Sequence, residues 1–420
     1  VACLEYTNYV PHRPKIVGAD VTWVPDTLVR QVERLPQIFW NDGAPWNEVN
    51  LWALELARNR DVKLKTITSL MEHLHKYANW LERESMDWRH FPQSKAERVL
   101  VRYRGELVDS RDRGNLSPST TSARMRAVIR FYRYAAGRQF ISHDAPKWQD
   151  KVVVLRLFDT AGFARTMQQL TTDISISNRA RPGIRLEDGL QPLTEQHMSD
   201  LLRFAKEHAS EELYLMLMIG CFTGARLGTI TTLRFVALEQ ALRDPQVPGM
   251  WVVPIGPGTG IETKFGVSGD LMIPDLLMTA MKVYSTSPRH LKRVIRASDR
   301  HKPFLFLTRH NKPYSVAAVD RMMVDLRRRG RAAGLKFLQR FKFHQTRATY
   351  GTWLMTICLK AASVKAAIEF VKRAMHHKHE ATTFGYVTFI EHTQAKIEVA
   401  NAFTEAFLGL KTRLHRAPNA

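Results

Sequence analysis

Residues 213–226 read LYLMLMIGCFTGAR, and this stretch decides how the second half of the chain is organised. Residues 213–222 are apolar with no charge. Such a run is too short to cross a membrane and too uniformly apolar for a surface helix, so it reads as a buried core helix. Thr223-Gly224 ends it as a turn, and Arg226 follows at once. A cation presented from the end of a buried helix is placed rather than scattered over a surface.

Working outward, Thr194 caps a preceding helix whose core face is Met198, Leu201, Leu202 and Ala205. Downstream, short apolar runs at 251–255, 271–273 and 304–307 read as strands, and Lys264 lies between the first two. Residues 326–347 hold eight Lys/Arg and no Asp/Glu, and lead into His344-Gln345-Thr346-Arg347. Ser363 caps another helix, with Val364, Ala367, Ile368 and Val371 inward, which delivers His376 and His377 at its end. Tyr386 stands nine residues after His377, beyond a short Thr-rich connection. Residues 391–410 read as a helix with Ile397, Ala400, Phe403 and Phe407 on one side. The second domain is therefore placed at 190–410, with a tail at 411–420.

The first half reads differently. Residues 1–45 are rich in Pro and Trp and show little periodicity, so they are expected to form an arm or irregular segment. Residues 46–145 read as a helical domain. Leu51, Leu54 and Ala57 mark one helix; Leu70, Leu74, Tyr77 and Leu81 mark a second. Ser117-Pro118 starts a third, with Met125, Val128, Ile129 and Tyr132 inward and Arg124, Arg126, Arg130 and Arg133 interleaved. That basic stripe is either a solvated face or a DNA contact. Residues 146–189, polar from 171 to 188 and containing Arg181-Pro182-Gly183, read as the linker.

Composition narrows the partner. Lys+Arg number 62 against 40 Asp+Glu, a formal net charge of +22, with a sequence pI near 10.1. A polyanion is the natural partner of such a chain, and nucleic acid is the usual one. Cys3, Cys221 and Cys358 have neither disulfide nor metal-site spacing, which suits a reducing cytoplasm. No apolar run is long enough to span a membrane, and the N-terminus shows no signal segment.

Two arginines, a lysine, two histidines and a tyrosine form a set that can hold a phosphodiester and attack it without a metal. Guanidinium groups match phosphate oxygens bidentately, and a tyrosine becomes a usable nucleophile in cationic surroundings. No carboxylate cluster with metal-ligand spacing stands near these motifs, which disfavours a two-metal nuclease, and no cofactor is expected.

In this order and spacing, Thr-Gly-Ala-Arg after an apolar helix, a Lys between two strands, His-x-x-Arg opening a helix and a His nine residues before a Tyr resemble the tyrosine recombinase (phage integrase) family. The motifs cover residues 190–390. The preceding helical region looks, more weakly, like the family's core-binding domain. The resemblance implies a mainly α fold with a small antiparallel β-sheet: a helical core-binding domain plus an α+β catalytic domain, closing on duplex DNA as a clamp. It implies catalytic roles for Arg226, Lys264, His344, Arg347, His377 and Tyr386, a 3′-phosphotyrosyl intermediate, and a homo-oligomer, a tetramer in the synapse, on double-stranded DNA. The expected location is cytoplasmic, at the nucleoid in a prokaryote.

Rivals exist at several positions. Lys282 and Lys302 lie outside the hairpin, Tyr350 follows Arg347 by three residues, and His376 competes with His377. The sequence also departs from the family's pattern. Thr229 stands where an acidic residue usually follows the first Arg, and Met375-His376-His377 replaces Leu-Gly-His, so the turn there loses its glycine. The expected function is site-specific recombination in integration, excision or transposition of a mobile element. A type IB topoisomerase and a non-cutting DNA-binding regulator are the alternatives.

Overall fold

The computed structural model describes residues 1–18, 20–59, 62–158, 164–178, 186, 189–378, 380, 382–391, 393 and 394. The expected helix at 391–410, with Ile397, Ala400, Phe403 and Phe407, lies outside the described residues apart from its first positions, as do Arg181-Pro182-Gly183 and the tail. Contacts divide the chain into two compact units that part near residues 181–182. The fold is mainly helical with small antiparallel sheets. Among the described residues no helix is long and apolar enough to cross a membrane.

Residues 1–45, expected as an arm or irregular segment, instead carry four strands: β1 (Cys3–Tyr9), β2 (His12–Val17), β3 (Asp20–Pro25) and β4 (Val32–Phe39). β1 pairs antiparallel with β4, and β2 with β3. Only β4 has a buried face, with Val32, Leu35 and Ile38 inward. The other three strands are almost wholly exposed, so the short alternations in their sequence, such as Asp20-Val21-Thr22-Trp23, mark no buried face. The Asn50 side chain bonds both the N–H (2.8 Å) and the C=O (3.0 Å) of Ile38, fixing β4 to the helices.

Four helices follow: α1 (Asn47–Arg58), α2 (Leu64–Arg83), α3 (Val99–Asp112) and α4 (Pro118–Gly137). The α4 cap is as expected, Ser117 Oγ accepting from the Thr120 N–H at 3.1 Å, and Met125, Val128, Ile129 and Tyr132 are buried. α1 turns differently from expectation. Val49, Trp52 and Ala53 face the core and Leu51 is exposed, because Trp46 and Trp52 fill the space. Three arginines of the α4 stripe are engaged within the unit. Arg133 pairs with Asp150 (3.1 Å), Arg130 lies over the Trp52 ring, and Arg126 reaches Ser122. Within 146–189, read as a linker, β5 (Asp150–Phe158) and β6 (Ala164–Thr172) pair as a two-stranded sheet.

The second unit is built on α5 (Glu195–His208) and α6 (Glu211–Thr223). α5 is capped by Thr194 as expected. α6 is buried on all sides. α7 (Leu227–Thr231) and α8 (Phe235–Glu239) lead to the antiparallel sheet β7 (Leu242–Arg243), β8 (Met250–Ile255) and β9 (Gly269–Pro274). α9 (Asp275–Ser285), α10 (Pro288–Arg296), α11 (Val316–Ala332), α12 (Gln345–Ala361) and α13 (Val364–Ala374) complete the framework, and residues 382–391 are helical (α14). The strand expected at 304–307 is absent. Leu305, Phe306 and Leu307 are fully buried, but their segment makes isolated bridges, Arg234 to Phe304 and Leu307 to Pro313, rather than a ladder. A short apolar run signals burial before it signals conformation.

Beneath this unit, Glu212 of α6 is fully buried and is bound by Arg289 (2.7 Å) and Arg293 of α10. Burial alone would raise its pKa. The Arg289 hydrogen bond and the charges of both arginines outweigh that and hold the carboxyl below its ordinary range.

Candidate active site

Gly220 lets α6 and α12 approach closely, since a Cβ there would sit 2.4 Å from Thr346 Oγ1. α6 ends at Gly224, which is left-handed (φ 63°) and packed against the Tyr350 ring. The chain then turns into α7 with Arg226 as its N-cap residue, half-buried.

Arg347 lies on α12, one turn in from His344 at its N-cap, and is 1% exposed. Its Nη1 donates to the Gly224 carbonyl (2.6 Å) and its Nη2 to the Met375 carbonyl (2.5 Å). One guanidinium thus joins the turn before Arg226 to the turn that carries the histidine pair. A buried charge is tolerated where its N–H groups meet oxygens.

α13 is capped by Ser363 as expected, although Val364 faces solvent and only Ala367, Ile368 and Val371 of the four expected residues are buried. Its end resolves the missing glycine. The His376 N–H donates to Arg373 O (3.0 Å), the His377 N–H donates to Lys372 O (3.0 Å), and His376 has φ 51°. This is a Schellman motif with histidine in the left-handed position that glycine usually fills. The turn is kept at a conformational cost of about 1 kcal/mol.

The two histidines diverge from there. His376 Nε2 meets the Asp270 carbonyl of β9 at 3.1 Å, over Gly269, where a Cβ would come within 2.4 Å of the ring. Burial lowers its pKa; the charges of Arg347 and Arg226 act in the same direction, against the Asp270 carbonyl. His377 turns the other way. Its Nδ1 is 2.8 Å from Thr383 Oγ1, and its ring stacks on Tyr386 at a centroid distance of 6.0 Å.

Tyr386 lies on α14, which takes in Thr382 and Thr383 of the Thr-rich connection expected before it, and it is 0% exposed. Its ring fills the space over Gly351 of α12, where a Cβ would fall 2.6 Å from Cε1. Tyr350 points instead toward Gly224, and burial pushes its pKa up to about 12.

Lys264 sits in the exposed turn between β8 and β9, as expected. Besides the His376 contact with β9, further contacts tie this hairpin to the rest. The Glu262 N–H donates to Thr232 Oγ1 just after α7 (2.9 Å), and the Phe265 ring lies between Lys264 Nζ (5.3 Å) and Lys378 Nζ (5.5 Å). The rival lysines are occupied elsewhere, Lys282 over Trp251 (4.3 Å) and Lys302 with Asp299 (2.8 Å). Thr229 is buried in α7.

The structure therefore gathers Arg226, Arg347, the two histidines and Tyr386 around the ends of α6, α12 and α13, with His344 at the start of α12 and Lys264 on the flanking hairpin. Phe265, Lys378 and Thr383 were missed by sequence reasoning. The Lys264-Phe265-Gly266 turn and the cation directly after His377 were the available signals.

Residues 191–391 match the family model described as the phage integrase family. No curated protein matches the chain. Among solved structures, the Tn1549 transposon integrase in complex with transposon right end DNA is similar at 15% identity and a TM-score of 0.50, covering 84% of this chain and 99% of that one. A lambda integrase dimer bound to a COC′ core site is also 15% identical, with a TM-score of 0.48 and coverage of 81% and 94%. A lambda integrase tetramer bound to a Holliday junction gives 15%, 0.45, and coverage of 81% and 75%.

Proposed function

We propose, from the match of residues 191–391 to the phage integrase family, that this chain is a tyrosine recombinase that cleaves and rejoins DNA at specific sites through a 3′-phosphotyrosyl intermediate. The observation that carries this reading is the Arg347 node, which holds the Arg226 turn and the histidine turn to one side chain.

In this reading Arg226 and Arg347 bind the non-bridging oxygens of the scissile phosphate and act most strongly as charge accumulates on them in the transition state. The Tyr386 oxygen forms a bond to phosphorus while the bond from phosphorus to the 5′-oxygen breaks. The phenol proton passes to His344, and Lys264 protonates the departing 5′-oxygen. His377 positions Tyr386 by stacking on it, and His376 holds the Asp270 carbonyl of β9. The phosphotyrosine conserves the energy of the broken ester, so resealing to a new 5′-hydroxyl needs no ATP. The net charge of +22 suits duplex DNA, with the first unit as a second DNA-binding domain. The family resemblance implies a homo-oligomer, with four protomers pairing two DNA sites, in integration, excision or transposition of a mobile element.

Because Tyr386 is fully buried, attack requires α14 to shift from Gly351. The same burial favours a second reading, a DNA-binding protein that does not cut. Capture of covalent protein–DNA adducts from expressing cells decides between them. Adducts from wild type, absent in Tyr386→Phe, support the recombinase, and sequencing their DNA gives the site. No adduct from wild type overturns it.

A further inference from the structure

We propose that Phe265 is a DNA-contacting residue of this reaction, a ring held out on the β8–β9 turn to stack on an unstacked base beside the scissile phosphate. The inference rests on the chain acting on DNA, as argued above.

Three independent observations converge on this residue. First, the backbone is strained there. Phe265 has φ 65° with Gly266 following at 64°, so a bulky aromatic occupies a left-handed position usually left to glycine, asparagine or aspartate. Strain of this kind persists where surrounding structure imposes it, and it clusters at functional sites. Second, the ring is 65% exposed although a core lies directly behind the hairpin, with Ile255, Ile261 and Leu271 buried. Nothing in the sheet demands a large apolar side chain at its tip. Third, the ring is flanked by two cations from different elements, Lys264 on its own turn and Lys378 after the histidine pair. An exposed aromatic with two lysines over its ring is a combination suited to nucleic acid: phosphates draw the cations off the ring, and the ring then offers a stacking face.

Geometry fixes where the contact falls. Lys264, assigned to the leaving 5′-oxygen, immediately precedes Phe265. Lys378 immediately follows His377, which stacks on Tyr386. The ring therefore stands beside the position of the phosphate to be broken. There a base must loosen before a strand can leave, and a wedge that stacks on it would hold the exposed step open.

The test uses the full-length protein and two short duplexes of one sequence, one intact and one with a single-nucleotide gap flanked by 2-aminopurine. Wild type is expected to bind the gapped duplex about tenfold more tightly than the intact one, the range of a single base–aromatic stack, and to quench the 2-aminopurine. Phe265→Trp keeps both effects. Phe265→Ala loses both while still binding the intact duplex. Phe265→Gly, which relieves the strained φ, behaves like Phe265→Ala. Preference and quenching that persist in Phe265→Ala overturn the proposal, as does a variant slow in adduct formation but unchanged in quenching, since a turn that only places Lys264 would give that result. Ring-dependent quenching without any covalent adduct would break the catalytic reading and leave this contact standing. Failure of wild type to bind either duplex would overturn both.

Discussion

The two halves of the candidate site are built on opposite principles. Arg347, His377 and Tyr386 are buried, held by two backbone carbonyls, a threonine hydroxyl and the floor of Gly351. Lys264, Phe265 and Lys378 are exposed, and ring–cation contacts are what link them. Charge-assisted hydrogen bonds inside a protein fix geometry, whereas exposed cation–π contacts contribute only about 0.5–1 kcal/mol. The enclosed half therefore serves stability and chemistry together, and the hairpin half can serve chemistry with little effect on stability.

The sharpest way to break this comparison is to remove one cation from each half. Arg347→Ala is expected to lower adduct formation by about 10³-fold, the upper range for one transition-state donor. It should also destabilise the fold by about 3 kcal/mol, because two buried carbonyls lose charged donors. A denaturant midpoint equal to that of wild type would refute the structural role. Lys264→Ala is expected to slow cleavage by about 10²-fold with an unchanged midpoint, and a substrate with a 5′-thiolate leaving group, which departs without a proton, should restore the rate. If the thiolate substrate reacts as poorly as the ordinary one, Lys264 is not the acid.

Gly351→Ala probes the floor under the nucleophile. The added methyl meets Tyr386 and Met375 Sδ within 2.7 Å, so overpacking should destabilise by about 2 kcal/mol and push Tyr386 outward. Increased protease access to residues 382–391 would register that displacement, and unchanged cleavage would refute it.

His376 bridges the halves and gives the smallest effect. His376→Gly relieves the left-handed backbone, worth about 1 kcal/mol, and loses the contact with Asp270. Its pH dependence is the better readout. The wild-type pKa is depressed, so the neutral ring is favoured in the folded state. That stability is fully present above about pH 6.5, the unfolded value, and is lost as pH falls through the lower folded value. His376→Gly should lose this component of the acid limb. An identical acid limb in wild type and variant would show that His376 does not titrate as described.

Much of the fold was legible where its signals are local. The Thr194, Ser117 and Ser363 caps, the α6 run and the Gly224 turn each depend on a few adjacent residues, and each formed as read. Three of the departures share one cause. Leu51, Val364 and the run 304–307 were assigned from apolar character alone, which does not tell which face an element turns inward or whether a buried segment is a strand. The strands before residue 40 were hidden because most of their residues have no buried side. The loss of glycine at 376 looked like a broken turn, yet the Schellman hydrogen bonds are made by backbone groups that any residue carries.

Sequence by itself determined the set of chemical groups, their order and the family they resemble, because motif spacing and charge are properties of the chain. Tertiary structure alone decided that Arg347 spans two turns, that His376 and His377 face opposite ways, that Tyr386 is enclosed over Gly351 and that Phe265 stands out between two lysines. Those facts depend on which surfaces meet, and close packing between residues distant in the chain is not written in any one stretch of it.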